Sequence, residues 1–96
     1  MTKIIWSTDA VFDYEQNIDY LLKEWGLKTT QKFIDTVNSF LENISKFPEM
    51  YSLSNYRNIR KGVISKQITI FYTTGLDNRI EIVRVWNNKQ YPEKLK

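Results

Sequence analysis

Apolar residues recur at helical spacing in two stretches of the first half of the chain. The first stretch predicts a helix over residues 8–25, with this stripe facing the core: Val11, Tyr14, Ile18, Leu21, Leu22 and Trp25. Ser7, Thr8 or Asp9 can cap its start, and Gly26 suits a left-handed cap at its end. The second stretch predicts a helix over residues 28–46, which ends at Phe47-Pro48. Its apolar positions are Phe33, Ile34, Val37, Phe40, Leu41 and Ile44. The short connection predicts an antiparallel helix hairpin.

The pattern outside the helices indicates strands. Residues 3–7, 63–74 and 79–86 are rich in β-branched and aromatic side chains, and a further short strand is expected over residues 56–61. Three turn-forming residues within positions 75–78 predict a hairpin between the last two strands. Alternation along the last strand places Ile80, Ile82, Arg84 and Trp86 on one face, and Glu81, Val83 and Val85 on the other.

The order β-α-α-β-β-β predicts an α+β fold, in which the helix hairpin packs on one face of a small, mainly antiparallel sheet. With 96 residues, and with no linker-like or repeated segment, the chain is expected to form a single domain over residues 1–96.

Composition narrows the chemistry. The chain contains no His and no Cys, which excludes a Ser-His-Asp triad, a thiolate nucleophile and a thiolate zinc site. No cofactor or metal site is predicted. Four acids on the first helix are expected to form a solvated helix face: Asp9, Asp13, Glu15 and Asp19. The sequence shows neither a signal peptide nor a membrane span, so a cytoplasmic location without a membrane partner is expected.

The charge is divided unequally between the two halves. Residues 1–50 carry five Lys and eight acids, a net −3, whereas residues 51–96 carry nine Lys and Arg and three acids, a net +6. A basic half is typical of a surface that meets an acidic partner, either nucleic acid or an acidic protein, although a solvated sheet surface would also carry such residues.

The basic half also interleaves cations with aromatic rings. The predicted binding residues in this half are Arg57, Arg60, Lys61, Lys66, Arg84, Trp86 and Lys89. Positive groups neutralise phosphates and flat rings stack on bases, so this mixture suits single-stranded RNA or a phosphate-rich site. It suits an acidic protein groove equally well.

Short motifs along nearly the whole chain give it a family resemblance. They are Trp6-Ser7-Thr8-Asp9-Ala10, Ile18-Asp19-Tyr20-Leu21, Trp25, Phe33, Phe47-Pro48, residues 56–61, residues 68–72, Ile82-Val83-Arg84-Val85-Trp86 and the ending Asn87 to Leu95. In this order they resemble the RelE/ParE superfamily of bacterial toxins from type II toxin–antitoxin systems. That resemblance implies a growth-inhibiting toxin that a cognate antitoxin protein neutralises.

The superfamily implies two modes of action. ParE-like members inhibit DNA gyrase without catalytic residues, and RelE-like members cut mRNA on the ribosome. For a nuclease, the resemblance points to Arg60, Arg84, Lys89 and Tyr91 as catalysts. This chain has Thr69 where the ribonucleases tend to carry an arginine on the central strand, and Asn87-Asn88 where they place further basic or His residues. The ParE-like mode, with gyrase as target, is therefore favoured over the ribosome-dependent nuclease.

Overall fold

A computed structural model describes residues 2–55, 58–75 and 77–88 of the chain. The elements, in chain order, are β1 Lys3–Trp6, α1 Thr8–Glu24, α2 Leu27–Lys46, β2 Ile59–Val63, β3 Ile68–Thr74 and β4 Arg79–Asn87. The predicted order β-α-α-β-β-β is thus confirmed, and both helices end within two residues of their predicted limits. None of the helices in these ranges is long and apolar enough to cross a bilayer.

The four strands form one sheet in the order β1-β4-β3-β2. β1 runs parallel to β4, and the β4–β3 and β3–β2 pairs are antiparallel, as the prediction of a mainly antiparallel sheet requires. The core lies between the helices and one face of this sheet. Its buried apolar members are Ala10, Val37, Phe40, Ile44, Ile68, Ile70, Tyr72, Ile80, Ile82 and Val85.

The limits predicted for the second and third strands are wrong. β2 starts at Ile59 rather than residue 56 and continues through Gly62 to Val63, and β3 starts only at Ile68. The turn falls at Ser65, whose Oγ accepts hydrogen bonds from the backbone N–H groups of Gln67 and Ile68. Although position 62 lies within a strand, it is occupied by glycine because the ring of Phe40 fills the space that a side chain would need.

The prediction that α1 turns its whole apolar stripe to the core is also wrong. The buried residues of α1 are Ala10, Asp13 and Asn17, whereas Val11, Leu22 and the C-cap residue Trp25 are exposed by 40%, 43% and 61%. The four acids likewise do not form one solvated face, because Asp13 is 7% exposed. The reason is that β4, which packs against α1, turns polar groups toward it: Arg84 and the Val85 N–H contact Asp13, and Asn87 contacts Asn17.

A bulge in β4 reverses the predicted alternation of its second half. Tyr72 pairs with Ile82 and Phe71 pairs with Arg84, so Val83 is an extra residue that has no pairing partner on β3. Beyond it, Val85 joins Ile80 and Ile82 in the core. An extra residue shifts every later side chain to the other face, which periodicity alone does not reveal.

The helix ends follow the predicted signals. Ser7 is the cap of α1: its Oγ accepts from the N–H of Ala10 at 3.0 Å and donates to the carbonyl of Val83 at 2.7 Å. Gly26 separates the helices with a φ of +87° and a ψ of −178°, so it has the positive φ that the prediction required but an extended ψ. This region of backbone space is open almost only to glycine.

Candidate functional site

The strand register assigns the predicted basic residues to different faces of the sheet. Lys61 pairs with Phe71, and Phe71 pairs with Arg84, so these residues share the face that points away from the helices. Arg60 pairs with Tyr72, a core residue, and therefore lies on the helix-facing side. Arg60 and Arg84, which the sequence grouped together, are thus separated by the sheet.

Although Arg84 shares a face with Phe71, it forms an ion pair with α1 at the edge of β4, beyond Ile82, where pairing with β1 has ended. Its Nε donates to Asp13 Oδ2 at 2.7 Å and its Nη2 donates to Asp13 Oδ1 at 2.9 Å. Its guanidinium carbon also lies 5.1 Å from the centre of the Trp86 ring, within the range of a cation–π contact. The side chain of Arg84 is 36% exposed and that of Asp13 only 7%, so the pair closes the junction between helix and sheet.

At the same junction, backbone groups of β4 beyond the end of β1 find hydrogen-bond partners. The N–H of Ser7 donates to the carbonyl of Ile82 at 2.9 Å, and the N–H of Val85 donates to Asp13 Oδ2 at 3.1 Å. Asn87 Nδ2 then donates to Asn17 Oδ1 at 2.8 Å. Polar residues on the inner side of α1 therefore replace the strand that β4 lacks at this edge, and this explains why they are buried.

Arg60 belongs to an aromatic cluster below the end of α2. Its Nη1 donates to the carbonyl of Tyr51 at 2.7 Å, while Arg60 Nε is buried without an acceptor among the described residues. Tyr72 donates its hydroxyl to the carbonyl of Pro48 at 2.8 Å. Burial raises the pKa of Tyr72, and the nearby positive charge of Arg60 opposes that rise. These two side chains anchor the segment after α2 to the sheet.

The remaining predicted site residues lie apart from one another. Lys61 and Lys66 are exposed, Lys66 in the turn between β2 and β3. Trp86 is 7% exposed, so its ring is covered rather than presented at the surface. Arg57, Lys89 and Tyr91 lie outside the described residues.

Sequence reasoning missed the two polar residues that organise this junction. Asp13 and Asn17 follow Ala10 at spacings of three and four, on one side of α1. That spacing is the available signal, because a small residue followed by polar ones at this period can mark a buried polar stripe. It is weaker than the apolar stripe beside it, which the prediction followed.

An apolar groove separates the helix hairpin from the turn between β2 and β3. It has a volume of about 190 Å³ and is lined by residues including Tyr20, Leu21, Phe33, Ile64 and Ile68. The buried amides of Asn17 and Asn87 lie at its base, and Lys32 is its charged member. Such a groove can accept an apolar side chain of a partner protein. Among the described residues no group of three acids lies close enough to hold a metal ion.

Comparison with known families gives one match over most of the chain. Residues 4–92 match the model of a family described as the ParE toxin of the type II toxin–antitoxin system parDE. No curated protein matches the sequence.

Solved structures share the fold at low sequence identity. The chain is similar to a structure from the chromosomal ParDE toxin–antitoxin system of P. aeruginosa, with a TM-score of 0.75, 13% identity and coverage of 91% of this chain and 96% of that one. It is also similar to a YoeB dimer from Staphylococcus aureus, with a TM-score of 0.64, 21% identity and coverage of 88% and 94%. The chain is similar as well to a chain of the heterotetrameric YoeB–YefM toxin–antitoxin complex of the same species, with a TM-score of 0.63, 20% identity and coverage of 90% of this chain and 95% of that one.

Proposed function

This chain belongs to the ParE toxin family of type II toxin–antitoxin systems, and we propose that it stops growth by binding a macromolecular target, DNA gyrase, without catalysing a reaction of its own. A cognate antitoxin neutralises it. The family match and the toxin–antitoxin structures that share its fold support this proposal.

The observation that carries the proposal is the use of Arg84. A nuclease needs cationic groups free to meet a phosphate as charge develops on it. The Arg84 guanidinium instead holds Asp13 at two points and lies against Trp86. Arg60, on the other side of the sheet, holds the carbonyl of Tyr51. Both side chains thus have structural partners, which favours a binding protein over a ribosome-dependent nuclease.

The antitoxin is proposed to add a strand to the sheet at β1. The opposite edge, β2, already bonds to the preceding segment, since Ser54 N–H donates to Ile59 and Lys61 N–H donates to Ser52. Within the described residues nothing pairs with the outer side of β1. Lys3 and Arg79 are neighbours in the register there, which suits an acidic strand.

Charge at this edge predicts how the complex responds to salt. Exposed charges steer the encounter, and buried contacts hold the final complex. Raising the ionic strength should therefore slow association of the purified antitoxin far more than it speeds dissociation. Stopped-flow association rates that are insensitive to salt would contradict an electrostatically guided acidic partner.

The test of the target is conditional expression of the chain alone, with mRNA and plasmid topology read from one culture. We expect growth arrest, relaxed or broken plasmid DNA and intact mRNA. Ile82→Asp, which places a carboxylate in the core, is the control for arrest that does not depend on the fold. Cleaved mRNA with normal supercoiling would overturn the proposal in favour of a nuclease using Arg60, Arg84, Lys89 and Tyr91.

A further inference from the structure

Helix α1 buries two polar residues and leaves several large apolar residues exposed. Its buried side is formed by Ala10, Asp13 and Asn17. On its exposed side, Phe12 is 55% exposed, and Val11, Leu22 and Trp25 are exposed by 40%, 43% and 61%. A surface helix of a globular protein normally turns its large apolar residues to the core, as α1 does with Tyr14. Packing within the described part of the chain does not account for this exposed side.

The outward residues form one continuous face. We call the outer face of α1 the set Val11, Phe12, Glu15, Ile18, Asp19, Leu22 and Trp25. Counted from Val11, their spacing is that of neighbours on one side of a helix. Ile18 is half-buried and the others are exposed. The face therefore combines five apolar side chains with two carboxylates.

The charge of this face has one sign. Between Lys3 and Lys23 the sequence contains four acids and no Lys or Arg. Asp13 is turned inward and paired with Arg84, and the basic residue nearest to the outward acids along α1 is Lys23, four residues after Asp19. Negative charge beside apolar surface disfavours nucleic acid and anionic lipid. It also disfavours two copies meeting through the same face, since a two-fold axis would oppose like charges.

We propose that the outer face of α1 binds an amphipathic, basic segment of the protein that this toxin inhibits. The partner places apolar side chains on Val11, Leu22 and Trp25, and Lys or Arg beside Glu15 and Asp19. Helix-in-groove and helix-on-helix recognition use anchors at this spacing. The inference rests on the proposed function. It adds a target surface that is separate from the basic half, where an acidic antitoxin is expected.

Trp25 is the expected anchor of this interface. It is the C-cap of α1, and Leu27, which is 77% exposed, follows it across Gly26. The N–H groups of Trp25 and Gly26 both donate to the carbonyl of Leu21, at 2.8 and 2.9 Å, which fixes the backbone of the helix end. An exposed Trp on a fixed backbone loses little freedom on binding and is the residue type most enriched at binding hot spots.

The first test uses two synthetic helical peptides as probes, one of Leu and Lys and one of Leu and Glu with the same spacing. The full chain carries a net charge of +3, so overall charge opposes binding of the Lys peptide. We expect only the Lys peptide to shift the fluorescence of the chain to shorter wavelength, and a Trp25→Phe variant to lose that shift. Binding of the Glu peptide alone would overturn the proposal.

A matched pair of variants tests the position of the site. The double substitution Glu15→Lys/Asp19→Lys should lower the affinity of the chain for the Lys peptide by about tenfold or more, because it replaces attraction with repulsion on the outer face. Asp35→Lys/Glu42→Lys makes the same change of charge at exposed positions of α2 and should leave the affinity nearly unchanged. We call these the α1 variant and the α2 variant. Equal losses of peptide affinity in the two variants would overturn the proposal. A concentration-dependent dimer of the unaltered chain that is absent in the α1 variant would also overturn it.

Expression in cells separates this inference from the proposed function. The α1 variant should fold, bind the antitoxin with unchanged affinity and fail to arrest growth, while the α2 variant still arrests it. Arrest by the α1 variant would overturn the inference and leave the toxin proposal standing. Loss of antitoxin binding by the α1 variant would overturn the inference by assigning the face to the antitoxin. Absence of arrest by the unaltered chain would instead overturn the toxin proposal.

Discussion

The carboxylate of Asp13 bonds to Arg84 through both of its oxygens, at 2.7 and 2.9 Å, and one of them also accepts the N–H of Val85 at 3.1 Å. One side chain of α1 therefore fixes both a cation of β4 and the unpaired edge of that strand. This relationship decides two questions at once. It explains why α1 buries polar residues, and it gives Arg84 a structural partner.

Removing that carboxylate should destabilise the protein strongly. Asp13→Ala should lower the free energy of unfolding by about 2 kcal/mol, because it removes the buried carboxylate to which the Arg84 guanidinium and the Val85 N–H both donate. Urea unfolding measures the change. Asp19→Ala, at an exposed position of the same helix, is the control and should have little effect. Similar losses in the two variants would contradict the role given to Asp13.

Gly62 should tolerate no side chain while Phe40 remains. A Cβ at Gly62 would overlap the Phe40 ring, with Cζ only 2.9 Å away. Gly62→Ala should therefore cost about 1–3 kcal/mol of stability. Phe40→Leu in the same chain removes the clash, so the double variant should lose less than the sum of the two single variants. Additive losses in thermal or urea unfolding would argue against this contact.

Gly26 tests backbone strain in isolation. Its φ is +87°, and an added Cβ would meet nothing within 4 Å. Gly26→Ala should therefore destabilise the chain by about 1–3 kcal/mol through the backbone alone. Chemical synthesis with D-alanine at this position, which adopts positive φ readily, should retain the stability. Equal destabilisation by both enantiomers would show that the cost does not come from φ.

Tyr72 should make the fold sensitive to alkali. Burial raises its pKa above the ordinary value of 10.0, so the folded state favours the neutral hydroxyl. The stabilisation is complete below pH 10 and is lost as the pH rises through the folded-state pKa, since the unfolded chain ionises first. Burial raises the pKa of Tyr14 in the same direction.

Urea unfolding between neutral pH and about pH 11 tests this effect. Tyr72→Phe should cost about 1 kcal/mol at neutral pH, where the bond to Pro48 is lost. Its stability should then fall less steeply with alkali than that of the unaltered chain. Tyr20→Phe, at an exposed position, is the control and should keep the original slope. Parallel curves for all three proteins would contradict the assignment to Tyr72.

The sequence by itself determined the order of the elements, the ends of both helices and the superfamily. The elements and their ends depend on signals within a few residues of one another: the helical spacing of Phe33 to Ile44, the capping residue Ser7, the glycine at position 26 and the stop at Phe47-Pro48. Because such signals act through local backbone geometry, no knowledge of distant contacts is needed to interpret them.

Tertiary structure alone decided which side chains meet. The bulge at Val83 depends on how β3 and β4 pair, and it moves Val85 into the core and Arg84 away from it. The inward turn of Asp13 depends on the early end of β1, which leaves the β4 edge to be satisfied by α1. At the bulge, the register of β3 and β4 joins residues 10 to 13 positions apart, Tyr72 with Ile82 and Phe71 with Arg84, and Asp13 contacts Arg84 across a separation of 71 positions, beyond the reach of any local period. For this reason the sequence grouped Arg60 with Arg84, whereas the sheet separates them.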